Sequence, residues 1–75
     1  MTQLTPAEAA KEAAVIADIA WLNTFTGNAR RAAGHAISAQ YAKVSPRAYM
    51  LKAMEHWLAK GCTPTECAAI RARVA

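Results

Sequence analysis

Two cysteines and two histidines are the residues of this chain whose chemistry could go beyond packing. Such donors can hold zinc, and a thiolate beside an imidazole can act as a nucleophile. The spacing argues against both uses. Cys62 stands just before Thr63, a helix N-cap, and Cys67 is the fourth residue inside the helix that starts at Pro64. Those are the two positions of a hydrophobic staple, in which an apolar residue before the cap packs on one in the first turn. His35 and His56 fall on the polar faces of two different helices, His56 near Lys52 and Lys60, and both read as solvated side chains. The five acidic residues are scattered over the helices without forming a carboxylate pair, and there is no glycine-rich phosphate loop. The chain is therefore read as a non-enzyme with no catalytic, cofactor or metal site. Its cysteines are expected to be reduced thiols in the cytoplasm, since two cysteines are too few for a secreted disulfide framework.

The partner-binding candidates are basic and aromatic. Arg30 and Arg31, followed by Lys43 and Arg47, form the densest basic region. Trp21 and Phe25 would be its apolar anchors, since aromatic and arginine side chains dominate interface energetics. Charge is uneven: up to Thr26 three acids oppose one lysine, net −2, and from Gly27 onward eight basic residues oppose two acids, net +6. That asymmetry suits an acidic partner surface, and it equally suits attraction between the two parts of the chain across a dimer.

The elements that must position these residues open with a shared grammar of apolar residue, hydroxyl residue and proline: Leu4-Thr5-Pro6, Val44-Ser45-Pro46 and Cys62-Thr63-Pro64. A Ser or Thr cap accepts a bond from a free amide, and proline in the first turn loses no useful donor. Glu8 and Glu66, three residues after their threonines, complete capping boxes. Helices are expected from Pro6 to about Asn23, from about Asn28 to no later than Lys43, from Pro46 to Lys60, and from Pro64 almost to the end. Gly61 supplies the stop of the third. In the first helix Val15, Ile19 and Leu22 form one apolar stripe, with Glu8, Lys11 and Glu12 above it; Ala10, Ala14, Ala17 and Trp21 form a second. In the second helix Ala33, Ile37, Tyr41 and Val44 are expected to face the core, with Ala29, Ala32, Ala36 and Ala39 on the flank. The third helix, with Met54, Trp57 and Leu58 mid-stripe, is the most apolar and is expected to be central. Cys67, Ile70 and Val74 give the fourth a weak inward stripe.

Seventy-five residues allow one domain, spanning 1–75. Of the 55% hydrophobic residues, twenty are alanines, which favour helix but bury little area each. The fold class is therefore all-α, a small bundle of three to four short helices with a thin core, completed by dimerisation or by a partner. No apolar run is long enough to span a bilayer, and no membrane association is expected.

One stretch, Ala59-Lys60-Gly61-Cys62-Thr63-Pro64-Thr65-Glu66-Cys67-Ala68, resembles the link between the first two helices of LuxR-type helix-turn-helix domains. The match covers roughly residues 54–70, and the chain stops where that family would supply its recognition helix, so no base-reading residue carries over. The second function class is a nucleic-acid-binding regulator, incompletely helix-turn-helix-like: a basic helical dimer that presents Arg31, Lys43 and Arg47 to phosphates. The first is a small interaction module, a regulator or inhibitor of the kind carried by phages and plasmids, which docks on a larger protein and is itself a homo-oligomer.

Overall fold

A computed structural model describes residues 3–42 and 45–75. Four helices follow one another: α1 Pro6–Leu22, α2 Gly27–Tyr41, α3 Ser45–Ala59 and α4 Pro64–Val74. The described residues form no strand. No helix among them is long and apolar enough to cross a membrane.

The two threonine starts fold as capping boxes. Thr5 Oγ1 accepts from the Glu8 amide at 3.2 Å, and the Thr5 amide donates back to Glu8 Oε1 at 3.4 Å. At α4 the reciprocal pair is tighter, 3.1 Å and 2.9 Å between Thr63 and Glu66. Each box satisfies two amides, one of them in a first turn that has no intrahelical partners. The third start is less fully seen, because Val44, also expected to face the core, lies outside the described residues. α3 ends as expected before Gly61, whose φ of 137° is a conformation that side chains with a Cβ resist.

The centre of the bundle is α2, not α3, and it packs against all three other helices. The face it buries is the alanine flank together with Ala33 of the stripe expected inside. Ala29, Ala32, Ala33, Ala36 and Ala39 are all at or below 3% exposure, whereas Ile37 is half-buried and Tyr41 is exposed. The reason is steric: a strip of methyl groups lets helix axes approach closely, so the best-coordinated position goes to the helix with the smallest side chains. The bulkier Ile37 and Tyr41 turn toward α1. Large side chains enter the core from the neighbours: Phe25 from the α1–α2 turn, Met54 and Leu58 from α3, and Ile70 from α4. Trp57, expected in the core, is only half-buried at its edge.

α1 stands apart. None of its residues is buried, and Val15, Ile16 and Ile19 are each more than half exposed. Its last turn, where Trp21 and Leu22 reach the core, carries most of the docking.

The cysteines are not the free thiols expected. Cys62 and Cys67 are joined in a disulfide with Cα atoms 6.2 Å apart. The two cysteines do occupy the staple positions on either side of the cap, but they close the contact covalently. The same proximity that would let two apolar side chains touch brings two sulfurs within bonding reach.

Candidate functional site

Three arrangements of side chains stand out, and the first explains how α1 is held. Asp18 of α1 accepts from the Tyr41 hydroxyl at 2.7 Å and from Arg73 Nη2 of α4. Arg73 also donates from Nε to Gln40 Oε1 at 3.0 Å, and its guanidinium lies 4.3 Å over the Trp21 ring. One arginine thus binds three helices. The Tyr41 hydroxyl, helped by Arg73, lowers the Asp18 pKa, and Asp18 in turn raises that of Tyr41. Charge attraction between the acidic first part and the basic remainder is realised here within a single chain.

The second arrangement is a trough along the α1–α2 seam, about 530 Å³ in volume. Its walls are Val15, Ile19 and Leu22 on one side and Gly34, Ile37 and Tyr41 on the other. A second, more polar recess shares Leu22 and Gly34 and ends at Arg30 and Arg31. The trough, whose largely apolar lining also includes Lys11 and Asp18, therefore opens at its Leu22–Gly34 end toward two cations.

The third is a cationic aromatic face on α2 and α3. Arg31 Cζ stands 4.8 Å from the Trp57 ring centre and Lys60 Nζ 6.0 Å from it, with His56 edge-on to the same ring at 5.2 Å. Beside Trp57 a recess of about 330 Å³ is lined by His35, Tyr49, Lys52, Ala53 and His56. No carboxylate or thiol is among its lining residues. Tyr49 is 68% exposed there.

Compared with known protein families, curated proteins and solved structures, the chain matches none. The likeness of residues 59–68 to LuxR-type domains finds no counterpart in that comparison.

The six residues singled out from the sequence do not form one patch. Phe25 is buried, with its ring edge-on to Trp21 at 5.1 Å between centres. Trp21 itself is half-buried under Arg73. Arg30 is exposed and donates to Asn23 Oδ1 at 3.2 Å, and Arg31 donates to Asn28 Oδ1 at 3.1 Å. Arg47 is half-buried and turned inward: it donates to the carbonyls of Ala39 at 2.9 Å and Val74 at 3.0 Å. Those carbonyls belong to the final turns of α2 and α4, where helices lack internal partners. Lys43 lies outside the described residues. Of the six, Arg30 and Arg31 are placed where a partner could reach them.

His35, Tyr49, Lys52 and His56 escaped notice as a cluster because His35, Lys52 and His56 look like ordinary polar-face residues, while Tyr49 reads as part of the apolar face of α3. The available signal was the i, i+3 and i+4 spacing of Tyr49, Lys52 and His56, which aligns them along one side of α3. Among the described residues no group of three or more His, Cys, Asp or Glu is placed to hold a metal ion.

Proposed function

We propose that this protein is a small non-enzymatic interaction module, a regulator or inhibitor that works by docking on a larger protein with an acidic surface. The observation that carries this reading is the face around Trp57, where one exposed tyrosine, one tryptophan, two histidines and three cations, Arg31, Lys52 and Lys60, converge. Tryptophan, tyrosine and arginine are the residues that most often carry interface energy, and cations speed encounter with an acidic partner. Docking there would act by masking the partner's surface.

A nucleic-acid regulator is the second reading, favoured by the same cations. It is weaker because Arg47, one of its three phosphate contacts, is committed to helix carbonyls.

The test compares affinity capture from a lysate of the source organism by the wild-type chain and by a Lys52→Glu/Lys60→Glu variant. A protein retained by the first and lost by the second is expected. A duplex DNA mobility shift at about 50 mM salt, fading steeply as salt rises, would overturn the protein-docking reading in favour of the second.

A further inference from the structure

A compact monomer of 8.0 kDa exposes about 4,450 Å². This chain exposes 5309 Å², about 850 Å² more. Its radius of gyration, 13.9 Å, is likewise above the value of about 11 Å for a compact domain of 75 residues. The excess is close to the roughly 800 Å² that each partner buries in a standard protein interface. α1, with no buried residue and with Val15, Ile16 and Ile19 each more than half exposed, lies next to the apolar trough.

We infer that the trough is filled by α1 of a second copy, the two α1 helices lying antiparallel about a two-fold axis near the middle of the Val15–Ile19 stripe. Charge complementarity selects this occupant. The cationic end of the trough holds Arg30, bonded to Asn23 at the end of α1. Glu12 and Asn23 are eleven residues apart, about three helical turns, and so lie on the same side of α1. Measured from the midpoint of the stripe, Glu12 lies about 7 Å toward the N-terminus and Asn23 about 9 Å toward the C-terminus. A two-fold axis there sets Glu12 of each copy against Arg30 of the other, and Glu8 extends the acidic run one turn further. The contact is isologous, so it forms twice and closes. Lys11, which also lines the trough, lies on the opposite edge of the stripe from that pair.

Gly34 makes the trough deep enough. A Cβ built on it meets nothing within 4 Å, so a side chain there would start into the open space of the trough.

The experiment is light scattering on the purified full chain over a concentration series, with helicity followed by circular dichroism. The wild type is expected at twice the chain mass. Ile19→Asp and Gly34→Leu should each weaken the dimer by at least about tenfold. If Ile19→Asp loses helicity, Gly34→Leu alone decides. Glu12→Arg and Arg30→Glu should each weaken association, and the double variant should regain it. A wild type monomeric to about 1 mM, a range in which dimers worth less than roughly 4 kcal/mol dissociate, would overturn the inference. So would a dimer indifferent to Gly34→Leu, or a charge-swapped pair no better than its parents. None of these readouts involves Lys52 or Lys60, so this inference and the docking reading stand or fall separately.

Discussion

Asp18 and Arg73, 55 positions apart, form an ion pair that joins the first helix to the last. Their side chains are 14% and 18% exposed, which separates them from the surface pairs that contribute almost nothing. Tyr41 completes the arrangement from α2. Because α1 buries no residue of its own, this polar contact and the last turn around Trp21 and Leu22 are what hold it.

Replacing Asp18 by Ala should therefore release α1 more than it unfolds the bundle. A loss of about 1.5–3 kcal/mol is expected, the usual worth of hydrogen bonds to a charged group. Hydrogen exchange should show faster exchange of the amides of residues 10–22, with those of α2 and α3 little changed. Uniform acceleration would show that α1 is not held separately.

The pair also fixes a pH response. The Asp18 pKa is below its ordinary value of 3.8, so its stabilisation is complete above that pH and disappears as pH falls through the lower folded value. Glu55, lowered from 4.5 by the two-pronged contact with Arg71, has the same sign. At the alkaline end Tyr41, raised from 10.0, stabilises the fold up to that value and ceases to do so as pH rises through the folded one. Thermal melts should thus fall below about pH 4 and again above about pH 10. In Asp18→Asn the acid decline should be smaller.

Arg47→Ala strands the Val74 carbonyl in a half-buried place and leaves that of Ala39 with only the Ala42 amide at 3.3 Å. A cost of about 1–3 kcal/mol is expected from urea unfolding. Arg47→Lys should recover part of it, because one ammonium can reach a single carbonyl but lacks the planar fork that spans both.

Breaking the Cys62–Cys67 bond should lower stability by roughly 2 kcal/mol, the chain-entropy value for so short a loop. Melting with and without dithiothreitol, and in Cys62→Ala/Cys67→Ala, measures it. Helicity at room temperature should survive, since the Thr63–Glu66 capping box remains to start α4.

What the sequence determined alone is local. Caps, prolines and glycines act within a few residues, so the starts at Pro6 and Pro64, the stop before Gly61 and the number of helices were legible without any tertiary information. The staple positions of Cys62 and Cys67 were equally legible. Their oxidation was not, because spacing cannot distinguish a thiol contact from a bond. The choice of central helix was left to tertiary structure, for a physical reason. Hydrophobicity ranked α3 first, but close approach favours small side chains, and the five alanines of α2 won the interior. The same competition turned Ile37 and Tyr41 toward α1 and opened the trough. Long-range pairing decided the charges as well: Arg47 was drawn into helix carbonyls, Arg73 onto Asp18, and Arg31 onto Trp57, none of them within reach of a rule based on neighbouring positions.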